Sequence, residues 1–84
     1  MSEFISIELQ LSAVVLAEEL SFLRAAQKLG TCPAGLYARI GELTALLECS
    51  LFQERGDRVE VSKDGKVLID IFRAHLRRSG KVPK

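Results

Sequence analysis

The 84-residue chain has few of the side chains from which metal sites and catalytic centres are built. It contains one histidine, two cysteines and no tryptophan. Cys32 and Cys49 are not spaced as metal ligands, and His75 has no serine, cysteine or carboxylate partner at a spacing typical of catalysis. We therefore expect no metal, no cofactor and no enzymatic activity, and we expect the cysteines to be small packing residues.

The sequence also lacks a long hydrophobic run. Its longest unbroken apolar stretch is residues 13–17, whereas a membrane-spanning helix needs about 20 residues. No basic segment precedes a long apolar one, so we expect neither a signal peptide nor a membrane partner. Without a secretion signal, the cysteines are expected to be reduced thiols in a cytoplasmic protein.

A third absence is a large net charge. Twelve basic and eleven acidic residues give +1, and the isoelectric point lies near 7.8, whereas nucleic-acid-binding domains usually lie above about 9. The charge is unevenly distributed, because residues 71–84 hold five basic residues and no acidic one. The other seventy residues hold seven basic and eleven acidic ones. The body of the chain is therefore acidic and its C-terminal end basic.

The rest of the composition is typical of a globular protein, with 48% hydrophobic and 27% charged residues. The length allows one domain, and no proline- or glycine-rich linker interrupts it, so we expect a single domain over residues 1–84. Helical spacing predicts a first helix over residues 7–19 and a second that begins after Ser21 as N-cap and ends before Gly30.

A third helix follows after a turn of only three residues. Thr31 is the predicted N-cap, and Pro33 falls in the first turn, where a missing N–H is harmless. An apolar stripe then runs through Leu36, Ile40, Leu43 and Leu47. Two helices joined by a tight, glycine-containing turn predict a helix-turn-helix over about residues 21–47.

Beyond this unit the hydrophobic period changes. Two short strand-like runs within residues 51–61 flank a charged loop that contains Gly56 and Asp57, which predicts a hairpin, or wing. Ser62 then caps a last helix, and the whole C-terminal element covers about residues 62–79.

This order of elements resembles the DNA-binding domain of LysR-type transcriptional regulators. The match runs from Ser21 to Gly65 without insertion or deletion. The matching residues are Ser21-Phe22, Arg24-Ala25-Ala26, Leu29, Leu36, Ile40, Leu43, Leu47, Leu51-Phe52, Gly56, Arg58, Val59 and Gly65. The resemblance implies a mainly α winged helix-turn-helix with a three-helix unit, a two-stranded wing and a C-terminal linker-type helix. It also implies regulation of transcription by binding of duplex DNA, with the third helix as recognition helix. The effector-binding domain that normally follows in the family is absent from these residues.

The sequence departs from the family pattern where the family contacts bases and phosphates. A Gln, a Ser and an Arg of the pattern are replaced by Pro33, Tyr37 and Ala38. After Leu-Phe, the pattern has Glu-Arg, whereas this chain has Gln53-Glu54 and places an arginine one residue later, at Arg55. The resemblance therefore implies the fold more directly than the individual contacts.

The face of the third helix opposite its apolar stripe carries Ala34, Ala38, Gly41 and Ala45. Such a face offers almost no hydrogen bonds to base edges, although it permits close approach of a DNA backbone or of another protein. An idle helix surface, for which alanine is also well suited, is the less favoured alternative. Tyr37, on its flank, is predicted either to contact bases or phosphates or to pack half-buried.

These observations define the candidate DNA-binding residues. They are Arg24, Thr31, Cys32, Pro33, Ala34, Tyr37, Ala38, Arg55 and Arg58. The alternating charges around Arg55 and Arg58 are equally typical of a solvated hairpin.

The last helix has a broad apolar stripe. Its candidate dimer-interface residues are Val67, Leu68, Ile71, Phe72, His75 and Leu76. The first helix is also apolar on most sides, and leaving both exposed would create an unusually large patch, which predicts a homodimer. The family pairs its subunits through this helix, so the resemblance implies the same.

Two functions remain open at this stage. The first is duplex DNA binding by a homodimer in transcriptional control. The second is a protein-interaction module with weak or no base-specific DNA binding. Such a module could use the small-residue face of the third helix to bind a heteromeric partner, for example as a dimerising inhibitor of a related regulator.

Overall fold

The computed structural model describes residues 5–80 as four helices and one two-stranded antiparallel sheet. The elements are α1 (Ile7–Glu19), α2 (Phe22–Leu29), α3 (Pro33–Leu47), β1 (Phe52–Arg55), β2 (Arg58–Val61) and α4 (Lys63–Arg78). The predicted mainly α winged helix-turn-helix class is confirmed. The strands extend further toward the turn than their apolar residues indicated. Arg55 and Arg58, on either side of Gly56-Asp57, are partners in the register of the two strands.

Helix α1 is the centre of the core. Its buried residues are Leu9, Gln10, Ser12, Ala13, Val14, Val15 and Leu16. It packs against α2, α3 and α4. The expectation that the apolar surface of the first helix would stay exposed in a lone subunit is therefore wrong, because the chain's own helices cover it.

Two polar side chains of α1 are buried and fully bonded. Gln10 donates through Nε2 to the carbonyl of Ile5 at 2.9 Å, and its Oε1 accepts from Nδ1 of His75, also at 2.9 Å. Ser12 donates to the carbonyl of Glu8 at 2.8 Å and accepts from Arg39 at 3.3 Å. These bonds offset the desolvation of polar groups inside the core and tie α1 to α3 and α4.

The N-caps fix where three of the helices begin. Ser21 and Ser62 cap α2 and α4 as predicted, with each hydroxyl accepting from the amide three residues later, at 3.2 and 2.9 Å. The prediction of Thr31 as the cap of α3 is wrong. Cys32 occupies that position, and its Sγ accepts from the amide of Gly35 at 3.4 Å. The N–H of Thr31 instead bonds to the carbonyl of Ala26 at the end of α2.

The wing is held against the helices by its backbone. Its two-residue turn places Gly56 at φ +64°, a conformation that glycine adopts without strain. The amide of Val59 donates to the carbonyl of Leu20 at 3.2 Å, which joins β2 to the α1–α2 junction. Ser62 donates through its amide to Leu51 and through its hydroxyl to Ser50, which fixes the base of the hairpin.

Gly65 lies in the first turn of α4 and packs against Leu51, just before the first strand of the wing. A Cβ atom at this position would collide with the backbone carbonyl group of Leu51. Backbone cannot move aside as a flexible side chain can, so only glycine allows α4 to approach this closely.

We predict that Gly65→Ala destabilises the protein by roughly 1–3 kcal/mol, the usual range for overpacking. Gly41 is the matched control, because it is helical and exposed and a Cβ there meets nothing within 4 Å. Gly41→Ala should stabilise the protein by about 0.5–1 kcal/mol through better helix propensity. Urea denaturation measures both changes, and a Gly65→Ala protein as stable as the wild type would contradict the packing described.

Candidate nucleic-acid interface

The outward face of α3 is exposed along its whole length. It consists of Ala34, Ala38, Gly41 and Ala45, all of which are open to solvent. On the opposite side Leu36, Ile40 and Leu43 are buried. The exposed face therefore presents methyl groups and backbone, with no hydrogen-bonding side chain along its centre.

At the N-terminus of α3, the backbone N–H of Ala34 has no hydrogen-bond partner among residues 5–80. Pro33 is the first helical residue and has no N–H, while the N–H of Gly35 bonds to exposed Cys32. The N–H of Ala34 has no acceptor within the helix, as expected for a first-turn amide. It points away from the helix with the positive end of the helix dipole, which favours an anionic partner.

The single basic residue of α3 does not lie on this face. Arg39 reaches back to α1, where its guanidinium bonds to Ser12 and pairs with Glu8 at 3.1 Å. No local pattern indicates this role of Arg39, because its partners lie 27 or more positions away along the chain. The helix is thus fixed to the core by the cation that would otherwise have been available to a ligand.

Tyr37 lies on the flank of the outward face that is nearer the wing. Its side chain is 54% exposed, and its ring packs against Phe22 of α2 with ring centres 4.9 Å apart and planes tilted by 51°. Its hydroxyl donates a hydrogen bond to the carboxylate of Glu54 in β1. Tyr37 therefore joins α3, α2 and the wing.

The strand register explains how Glu54 reaches Tyr37. Glu54 pairs with Val59, whose side chain is buried, so both lie on the face of the hairpin that is turned toward the helices. Arg55 and Glu60 lie on the other face and form an exposed ion pair at 3.4 Å. Sequence reasoning identified the Glu54 position only as a departure from a pattern and missed its contact with Tyr37.

Two of the candidate arginines remain accessible between the start of α2 and the wing. Arg24 is exposed at the start of α2 and Arg58 is exposed in β2, and neither forms an ion pair with any of residues 5–80. Both line a shallow groove of about 340 Å³, together with Ser21 and Asp57. The structure thus brings Arg24 and Arg58 together, whereas Arg55 is engaged with Glu60. Thr31 is half-buried behind the start of α3.

The candidate dimer residues fall into two groups. Phe72 and Leu76 are buried in the subunit's own core. Only the other four candidate residues can therefore form a dimer interface. Val67 and Ile71 are 61% and 56% exposed, and Leu68 and His75 are half-buried beside them. Of the basic C-terminal end, Lys81 and Lys84 lie outside the described residues.

Within residues 5–80, no group of three or more His, Cys, Asp or Glu side chains is arranged to hold a metal ion. No helix in the same range is long and apolar enough to span a membrane. Cys32 and Cys49 are both free thiols.

The sequence profile described as "Bacterial regulatory helix-turn-helix protein, lysR family" matches residues 10–66. The chain belongs to the LysR family. None of the curated proteins matches this LysR-family chain in sequence.

Solved structures share the fold of the LysR-family chain at low sequence identity. The CbnR DNA-binding domain in complex with DNA superposes with a TM-score of 0.87 at 18% identity, covering 92% of this chain and 88% of that one. The BenM DNA-binding domain with catB site 1 DNA gives 0.86 at 22% identity, with coverages of 92% and 83%. Vibrio fischeri DarR in complex with DNA superposes with a TM-score of 0.85 at 18% identity. The match covers 90% of this chain and 26% of the DarR chain. The LysR-family chain therefore spans about a quarter of that regulator.

The bond to Glu54 has a measurable consequence for Tyr37. The hydrogen bond and the negative charge of Glu54 both raise the pKa of the phenol above its ordinary value of 10.0. Because the pKa of Tyr37 is raised in the folded state, the contact with Glu54 adds to the free energy of unfolding at pH values below the unfolded pKa. This contribution is lost as the pH rises through the folded pKa.

We predict that Tyr37, the only tyrosine of the chain, titrates at higher pH in the wild type than in Glu54→Gln. Near-ultraviolet absorbance of the phenolate follows this titration directly. Glu60→Gln is the control, because it removes a wing carboxylate from the opposite face of the hairpin. Equal titration curves for wild type and Glu54→Gln would contradict the contact.

Proposed function

We propose that residues 1–84 form one winged helix-turn-helix domain that binds duplex DNA in transcriptional control, as a homodimer in the cytoplasm and without catalysis. The observation that carries this function is the exposed outward face of α3, together with Arg24 and Arg58, which form no ion pair within residues 5–80. Membership of the LysR family supports it, as do the DNA complexes formed by CbnR, BenM and DarR.

The geometry favours contacts to the DNA backbone over contacts to base edges. Arg24 and Arg58 line one groove between the start of α2 and the wing and suit phosphate oxygens. The Ala34 N–H at the helix N-terminus suits a third phosphate. The methyl groups of Ala34 and Ala38 can contact thymine methyl groups when α3 lies in the major groove. Affinity should therefore depend strongly on salt.

We predict that binding to a duplex weakens as salt rises, and that Arg24→Ala and Arg58→Ala each reduce the slope of log affinity against log salt by about one. Ala38→Arg should strengthen binding, because it adds a cation to the outward face. Lys66→Ala, in α4 beside a groove lined by Ala17 and Asp70, is the matched control and should leave the slope unchanged. Fluorescence anisotropy at several salt concentrations measures all four variants. No binding at low salt, or binding that is independent of salt, would exclude the proposed function.

The proposal of a homodimer depends on α4. Val67 and Ile71 are exposed one helical turn apart, and a neighbouring groove of about 440 Å³ is lined by Leu47, Leu68 and other residues of α1, α3 and α4. An apolar strip of this kind on a charged helix is suited to pairing with a second copy of itself, as isologous interfaces require.

We predict that Ile71→Asp raises the dimer dissociation constant by roughly tenfold or more, since both copies would lose a buried aliphatic side chain. Lys66→Asp introduces the same carboxylate at an exposed polar position of the same helix and should leave the dissociation constant unchanged. Sedimentation equilibrium distinguishes the two. If the Ile71→Asp protein self-associates as strongly as the wild type, α4 is not the interface.

A second candidate function is a protein-interaction module that binds through the outward face of α3. The lack of hydrogen-bonding side chains at the centre of this face favours it, as does the carboxylate of Glu54 on its flank. Ala38→Arg separates the two functions, because a bulky cation would obstruct a close protein contact while it strengthens DNA binding. The partner would then be a related regulator that this chain inhibits by forming a mixed dimer.

A further inference from the structure

The four central positions of the outward face of α3 carry only alanine and glycine, so any side chain that reads a base edge must come from its flanks. On the wing-side flank, Tyr37 and Glu54 form one bonded unit at the surface. Tyr37 lies about one helical turn after Ala34 and directly before Ala38. The unit of Tyr37 and Glu54 therefore borders the part of α3 that is proposed to enter the major groove.

This unit is held in place by contacts within the protein itself. The Tyr37 ring rests on Phe22, and its hydroxyl bonds to a carboxylate that the hairpin register directs toward the helices. A groove of about 270 Å³ beside the unit separates α3 from β1 and is lined by Ile40, Thr44 and further residues. Side chains that are fixed in advance lose little conformational entropy on binding, so they discriminate between ligands effectively.

The unit presents hydrogen-bond acceptors and no free donor. The only proton of the Tyr37 hydroxyl is donated to Glu54, and an ionised carboxylate has no donor. In the major groove, cytosine presents an amino group as donor, whereas guanine presents only the acceptors N7 and O6. Adenine also presents an amino group, but its acceptor N7 lies beside that group and repels a carboxylate. The negative charge of Glu54 also repels the phosphate backbone. The affinity is therefore lower for a duplex that offers Glu54 no hydrogen-bond donor.

We propose that Glu54, held by Tyr37, is a specificity-determining residue that accepts a hydrogen bond from the exocyclic amino group of a cytosine in the major groove. This inference rests on the proposed DNA binding. Tyr37 acts as the positioning residue, because its hydroxyl orients the carboxylate and its ring fixes the distance of the pair from α3.

Selection from a pool of duplexes with a randomised central segment tests the proposal without knowledge of the natural site. Wild type, Glu54→Gln, Tyr37→Phe and Glu48→Gln are incubated with the pool, and the bound duplexes are sequenced. Glu48→Gln is the matched control, since it removes one carboxylate at the opposite end of α3. Circular dichroism confirms that the variants are folded.

The wild type and Glu48→Gln should enrich cytosine at one position of each half-site, with roughly 5- to 100-fold discrimination against the other bases. Glu54→Gln should lose this preference while it binds unrelated duplexes more tightly, and Tyr37→Phe should weaken the preference. Retention of the cytosine preference by Glu54→Gln would overturn the proposal, as would a wild type that binds DNA without any such preference. Failure of the wild type to bind any duplex at low salt would refute the proposed function as well, so the two failures are distinguishable.

Discussion

The burial of α1 is the constraint on which the remaining structure depends. This helix is apolar around most of its circumference, and a lone helix of this kind is stable in water only when other elements surround it. Helices α2, α3 and α4 all pack on it, which sets the angle of the helix-turn-helix and the position of the C-terminal helix together. Hydrogen bonds of its buried polar groups help to orient the neighbouring helices. Gln10 bonds to His75 of α4, and Ser12 bonds to Arg39 of α3.

The same constraint shapes the chemistry of the exposed surface. The only basic side chain of α3, Arg39, is turned inward to bond with α1, so the outward face retains small side chains and a free backbone amide. Cations that can meet a phosphate therefore come from neighbouring elements, with Arg24 from α2 and Arg58 from the wing. Because the Val59–Leu20 bond joins the wing to the α1–α2 junction, the backbone that carries Arg58 lies close to the start of α2, which carries Arg24.

Much of the fold could be predicted from the sequence because its signals are local. Ser21, Gly30 and Ser62 define helix ends through contacts within a few residues, and apolar spacing defined the stripe of α3. The N-cap of α3 was misassigned because both Thr31 and Cys32 can accept a backbone hydrogen bond, and the choice depends on where α2 ends. The candidate site was predicted only in outline, since the partners of Tyr37 and Arg39 lie far along the chain.

Local sequence signals were sufficient to predict the order of the elements, the helix boundaries to within a residue and the small-residue face of α3. Period, caps and turns act over a few residues, so they can be recognised without a folded chain. Tertiary packing sets which apolar residues of α4 belong to the core, that Arg39 bonds to α1, and that Tyr37 contacts Glu54. Those outcomes depend on contacts between residues that are 17 to 65 positions apart, for which the chain carries no local pattern.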